Sequence, residues 1–164
     1  MPIESPLNVL KLFVYGTLKP GEINYQRFCV GRVVDAYSAI ALGQLFVLSL
    51  GYPAMTQAAL EAHRRKMPSS AATMTALKAQ DDKPAHIVYG FVLTLKHSAV
   101  LQDLDRLEDY DPARPREQNL YERCQIETFD LEHQPLGLAW AYLMSPEKID
   151  HLGGILISGG QWIS

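Results

Sequence analysis

The run Leu10 to Tyr15 is rich in strand-forming residues and stops at Gly16, and a Pro20-Gly21 turn signal follows closely. This pattern predicts a buried strand ending in a loop, Tyr15-Gly16-Thr17-Leu18-Lys19, and no other stretch constrains the chain as much. Glycine has no Cβ, so the backbone at Gly16 can approach another group closely and several N–H donors can converge on one small acceptor. Such a loop holds an anion without a positive side chain. The same pattern also fits an ordinary strand exit in which Gly16 supplies only a permissive backbone angle.

Other strand signals are short and numerous. Arg32 to Leu50 is strand-prone but interrupted at Gly43-Gln44, which predicts two strands or one strongly bent strand. His86 to Leu95 reads as a strand. Tyr121 to Phe129 alternates, with Cys124, Ile126 and Thr128 on one face, and Glu132 to Pro135 turns into a hairpin partner, Leu136 to Met144. Helical signals are few: Ile23 to Val30, as a short helix or wrapped connection, and Ala99 to Glu108, with Ser98 as N-cap. The tail, Gly153 to Trp162, a short apolar segment between glycine pairs, does not fit a dinucleotide fingerprint, because no strand–turn–helix unit surrounds it. The expectation is an α+β fold with a mainly antiparallel, closed or nearly closed sheet.

With 164 residues, 48% hydrophobic and 20% charged, the chain is expected to form a single globular domain, 1–164. Gln57 to Lys83 differs in kind, rich in Ala, Lys, Arg, Ser and Gln, and is expected to be an insert and the most mobile part. A net charge of −3 argues against nucleic acid or acidic membranes as partners. The cluster His63-Arg64-Arg65-Lys66 reads as a solvated helix face or helix end. Met1 to Asn8 lacks signal-peptide design, and no apolar run approaches the ~20 residues of a membrane span, so a cytoplasmic address is expected. Cys29 and Cys124 are far apart and expected as reduced, packed thiols; with no ligand-like histidine spacing, no metal site is expected.

The second informative element is Val100 to Glu108. On a helical wheel starting at Val100, Leu101 falls at about 100°, Leu104 at about 40° and Leu107 at about −20°, so the apolar face centres near about 40°. Glu108, at about 80°, lies inside that face, and Asp105, at about 140°, on its margin. A carboxylate on the buried side of a helix is either paired or functional. Burial raises its pKa, and Asp105 and Asp109 are expected to raise it further, into the range of a general acid/base at neutral pH. The competing reading has Glu108 turn to solvent or pair with Arg106, Arg114 or Arg116.

Taken together, Phe13-Val14-Tyr15-Gly16-Thr17-Leu18-Lys19-Pro20-Gly21, Gly51-Tyr52-Pro53-Ala54, Leu104-Asp105-Arg106-Leu107-Glu108-Asp109-Tyr110 and Leu120-Tyr121-Glu122-Arg123 resemble the gamma-glutamylcyclotransferase-like family. The likeness runs from about residue 11 to 144, and Ser158-Gly159-Gly160-Gln161-Trp162 is similar to the end of many members. The Thr-Leu-Lys-x-Gly form looks closer to the small gamma-glutamylamine-type, plant and bacterial members than to the glutathione-degrading branch. The resemblance implies a small mixed β-barrel flanked by helices, no cofactor, and a small-molecule gamma-glutamyl substrate whose α-amine attacks its own γ-carbonyl to leave 5-oxoproline. Carried over by motif, Tyr15, Gly16, Thr17 and Leu18 bind the glutamyl end, Glu108 is the catalytic glutamate and Tyr121 lies near the pocket. Phe91 stands where many members have glutamate, and Asp109 where many have glycine; these departures and the insert bear on substrate identity. A monomer or weak homodimer is expected.

Two further readings stay open. One is a non-catalytic binding protein that recognises a small carboxylate-bearing metabolite or peptide end in the same pocket. The other is a thiol enzyme using Cys29 or Cys124, which a mid-strand, apolar-face position of Cys124 disfavours.

Overall fold

The structure, a computed structural model, describes residues 10–57 and 87–163. In chain order the elements are β1 (Leu10–Val14), α1 (Ile23–Phe28), β2 (Val33–Leu42), β3 (Gln44–Val47), β4 (Pro53–Thr56), β5 (Ile87–Leu95), α2 (Ala99–Leu107), β6 (Glu122–Phe129), β7 (Pro135–Leu143), α3 (Pro146–His151) and β8 (Ile155–Leu156). Apart from Gln57, the expected insert at 57–83 lies outside the described residues.

Five strands close into a barrel in the order β1, β5, β2, β6, β7. Neighbours within that order are antiparallel, and the barrel is closed by a parallel contact between β1 and β7 at Leu12 and Trp140. The hairpin expected around Glu132 to Pro135 is the β6–β7 pair, with Cys124 opposite Ala141 and Ile126 opposite Ala139. A second sheet, ordered β4, β3, β8, packs alongside. Arg32 to Leu50 divides at Gly43, where a Cβ would stand 2.7 Å from the Thr56 carbonyl oxygen; only glycine lets β2 pass directly into β3 there.

β1 explains why its sequence is an almost continuous apolar run. Phe13 and Tyr15 pack into one cluster with Val88, Val92, Ile126 and Ala139, while Leu12 and Val14 pack into another with Leu93, Val100 and Leu104. Successive side chains point to opposite faces, and here both faces are buried. α2 closes the second cluster with Val100, Leu101 and Leu104, each burial contributing about 1.5–3 kcal/mol.

Two expectations need correction. Ser98 stands at the N-cap position as expected, but its side chain makes no capping hydrogen bond: its own backbone is helical (φ −62°, ψ −23°), whereas an N-cap side chain reaches the first turn from an extended backbone. Cys124 is half-buried, not sunk in the core, because the buried face of β6 begins only at Ile126; Cys29 is fully buried. Among the described residues no helix is long and apolar enough to cross a membrane. Nor do three or more His, Cys, Asp or Glu side chains gather there as metal ligands.

Candidate active site

β1 delivers Tyr15, Gly16, Thr17 and Leu18 to the wall of a cavity of about 350 Å³, which Glu108 and Tyr121 also line. All six residues expected at the site therefore come together. The loop is folded by its carbonyls: Lys19 N–H donates to Gly16 O (3.0 Å), and Asn24 and Tyr25 N–H donate to Thr17 O (3.0 and 3.3 Å). The N–H groups of Gly16, Thr17 and Leu18 meet no acceptor among the described residues. They are unspent donors in a cavity wall, the arrangement that attracts a negatively charged oxygen.

Gly16 is required by contact and not by an unusual backbone angle, since a Cβ there would run into the ring of Pro53. Pro53 in turn accepts, on its carbonyl, a hydrogen bond from the Tyr121 hydroxyl (2.7 Å). Thus Gly51-Tyr52-Pro53, distant in sequence, becomes the opposing wall. Lys19, largely buried, donates from Nζ to the Trp162 carbonyl (2.6 Å) and so ties the loop to the C-terminal tail.

Glu108 reaches the cavity from the end of α2. It is the C-cap residue (φ −89°, ψ 4°), not a member of the last helical turn. The helix stops because Asp109 adopts φ +52°, and Asp109 and Tyr110 N–H donate back to Arg106 O and Asp105 O (3.3 and 2.8 Å). This is the Schellman pattern, with aspartate at a position where glycine is commonest. Arg114 secures it by donating to both the carbonyl and the side chain of Asp109 (2.8 and 3.0 Å). Tyr121 N–H then donates to Glu108 O (3.3 Å), holding the start of β6 beside the helix end.

Burial raises the Glu108 carboxyl from its ordinary 4.5 to about 7. The expected contribution from Asp105 and Asp109 is absent. Asp109 is exposed and paired with Arg114, while Asp105 pairs with Arg123 (3.2 Å) and accepts from the Tyr142 hydroxyl (2.7 Å). The arginines that might have neutralised Glu108 are engaged elsewhere: Arg106 with Asp103, Arg114 with Asp109 and Arg116 with Glu122. Glu108 is therefore a carboxyl poised to exchange a proton near neutral pH.

Three tyrosines surround it as neutral hydrogen-bond donors. Burial is the main cause that raises Tyr15, Tyr121 and Tyr142, and the Glu108 charge adds to each. The Tyr15 hydroxyl donates to Tyr142 O (2.6 Å) and the Tyr121 hydroxyl to Pro53 O, so neither donates to Glu108. The Cys29 thiol is pushed by burial up to about 11, which removes it as a nucleophile at neutral pH.

Sequence reasoning missed the Asp105–Arg123–Tyr142 cluster. Arg123 sits between the Tyr110 and Trp140 rings (5.5 and 5.0 Å to the ring centres) while holding Asp105, so α2 is fixed against the barrel just ahead of Glu108. The available signal was an acidic residue three positions before the glutamate on the margin of an apolar face. Asn24, which donates from Nδ2 to Thr17 Oγ1 (2.8 Å) and lines the cavity, carried no such signal.

The fold has solved relatives. An AIG2-like protein from Mus musculus superposes with a TM-score of 0.57 at 18% identity, over 94% of this chain and 88% of its own. A uropathogenic E. coli-specific protein gives 0.53 at 16% identity, over 94% and 93%. An Arabidopsis thaliana protein gives 0.52 at 19% identity, over 88% and 76%. No curated protein sequence matches significantly. The family model described as gamma-glutamyl cyclotransferase, AIG2-like, matches residues 12–66 and 57–164, and the chain belongs to that family.

Proposed function

We propose that this protein is a cofactor-independent cyclotransferase that converts a gamma-glutamyl amine or peptide into 5-oxoproline and a free amine. The reading rests above all on one observation: a carboxyl whose pKa burial raises shares a cavity with a loop whose Gly16, Thr17 and Leu18 N–H groups meet no acceptor among the described residues.

The chemistry needs both parts. The substrate's α-ammonium is not nucleophilic until a base takes its proton; ionised Glu108 does so. The freed nitrogen attacks the γ-carbonyl carbon, forming the ring C–N bond and placing negative charge on the former carbonyl oxygen. The substrate's glutamyl end lies on the Tyr15-Gly16-Thr17-Leu18 loop, whose fixed N–H groups stabilise charge better than water, which must first reorganise. The bond to the leaving nitrogen then breaks as Glu108 returns its proton to that nitrogen, and the second proton that the ring nitrogen sheds ends on the released amine, which leaves as its ammonium. No net proton is consumed, and one carboxyl serves as base and then as acid. Because the attack is intramolecular, holding a folded substrate conformer supplies much of the rate.

The test is 5-oxoproline release from gamma-glutamyl dipeptides, glutathione, gamma-glutamyl-ε-lysine and simple gamma-glutamyl amines, each run beside Glu108→Gln. Release by the native protein with loss in the folded variant supports the reading. Ligand binding without turnover by the native protein would instead identify a binding protein using the same pocket.

A further inference from the structure

Resting on the cyclotransferase reading, we infer that the segment Ile157 to Trp162 is a strap that holds the Tyr15-Gly16-Thr17-Leu18 loop in its working geometry, and that Lys19 is the positioning residue through which it acts. Side-chain hydrogen bonds to distant chain clamp the loop at both ends. At its start the Tyr15 hydroxyl donates to Tyr142 O on β7, and at its end Lys19 Nζ donates to Trp162 O, both at 2.6 Å. The first anchor belongs to the barrel. The second is only as firm as the tail that carries it.

That tail is itself tied down. Ile157 N–H donates to Leu45 O on β3 (2.8 Å), Gly160 N–H turns back to Ile157 O (3.0 Å), and Gly160 O accepts from Tyr89 N–H on β5 (2.8 Å). Gly160 has φ +68°, and a Cβ there would run into the Ile87 carbonyl oxygen, so only glycine lets the tail lie this close to β5. Ile157 and Trp162 pack against the cluster that contains Phe13 and Tyr15, the residues leading into the loop. Trp162 O is thus presented from a fixed place.

Only 9% of Lys19 is exposed, and taking an ammonium out of water is costly. An apolar side chain would fill the space without that cost; the ammonium adds a directional, charge-assisted hydrogen bond. Lys19 N–H also donates to Gly16 O (3.0 Å), so a shift of Lys19 passes directly to Gly16. The Gly16, Thr17 and Leu18 N–H groups stabilise developing charge only if they already point where it appears. A displacement of about 1 Å can cost about a hundredfold in rate.

Lys19→Met removes the ammonium and keeps an unbranched stem, while Gly160→Ala dislodges the strap away from the described cavity lining. The native protein, both variants and the double variant are compared in two readouts. One is kcat/KM for 5-oxoproline release from the compound that the native protein turns over fastest among gamma-glutamyl dipeptides, glutathione, gamma-glutamyl-ε-lysine and simple gamma-glutamyl amines. The other is the set of 15N order parameters of the Gly16, Thr17 and Leu18 amides. Each single variant is expected to lose about tenfold or more in kcat/KM, with loop order parameters falling from about 0.85 to below about 0.7 while those of α2 stay unchanged. The double variant is expected to fall no more than about threefold below the worse single one, because both substitutions cut one connection. Native activity or native loop order in Lys19→Met, or losses that multiply in the double variant, overturn the strap and leave the cyclotransferase reading standing. No release by the folded native protein overturns that reading instead, and the order parameters then decide the strap alone: lowered in both variants they support it, unchanged they overturn it.

Discussion

Gly16 lies against the ring of Pro53 so closely that a Cβ at position 16 would overlap it, and Pro53 O accepts the Tyr121 hydroxyl at 2.7 Å. The Tyr15-Gly16-Thr17-Leu18 loop, the β3–β4 turn and the approach to β6 are therefore joined in one wall. Gly16→Ala is expected to push Pro53 away, strain or break the Tyr121 bond and cost about 1–3 kcal/mol, as overpacking does. Urea unfolding would measure the stability loss. Turnover is expected to fall more steeply than stability, because the loop N–H groups move with residue 16.

Asp105 and Arg123 form a second support behind Glu108. Their side chains are only 15% and 19% exposed, and Arg123 Nε is buried without a partner among the described residues. Asp105→Asn leaves the guanidinium uncompensated and removes the anionic acceptor of the Tyr142 hydroxyl. The expected cost is about 3 kcal/mol, read by thermal or urea unfolding. An unchanged midpoint would show that the cluster does not anchor α2.

Asp109 holds φ +52°, a conformation that costs an L-residue roughly 1 kcal/mol, partly offset by its exposed ion pair with Arg114. Asp109→Gly exchanges one effect for the other and is expected to change stability by less than about 0.5 kcal/mol. Asp109→Val is expected to lose about 2 kcal/mol or more, because a β-branched residue tolerates this region poorly. Equal effects of the two substitutions would contradict the Schellman assignment.

Glu108 ties stability to pH with a definite sign. Below about pH 4.5 the carboxyl is protonated in both folded and unfolded chains and contributes nothing. Between 4.5 and about 7 the unfolded chain ionises while the folded one resists, so stability falls as pH rises and then levels off. At ~1.4 kcal/mol per pH unit the full penalty is about 3 kcal/mol. Glu108→Gln is expected to recover most of it above pH 7 and little at pH 4.5, while losing turnover. A pH-independent difference between the two proteins would contradict the buried-carboxyl description.

Much of this site was legible because its chemistry sits in short contiguous stretches. β1 and its loop announce themselves by a strand run broken at Gly16, and Glu108 by a carboxylate set among leucines. The closed sheet followed from many short alternating strands. Other features depend on partners that only folding brings near. Gly16 needs Pro53, Lys19 needs Trp162, and Asp105 needs Arg123 and Tyr142; no local periodicity encodes those meetings. The helical wheel placed Glu108 on the right side for an incomplete reason. The helix ends before it, and burial at the C-cap, without help from its acidic neighbours, raises its pKa.

The most direct measurement is the pH dependence of kcat/KM for 5-oxoproline release, with Glu108→Gln run in parallel. The expected profile rises toward an inflection near pH 7, the point at which Glu108 becomes a base, and the variant loses the activity that carries that limb. Full activity in the variant, or a native profile flat across pH 6 to 8, would contradict Glu108 as the group that moves the proton.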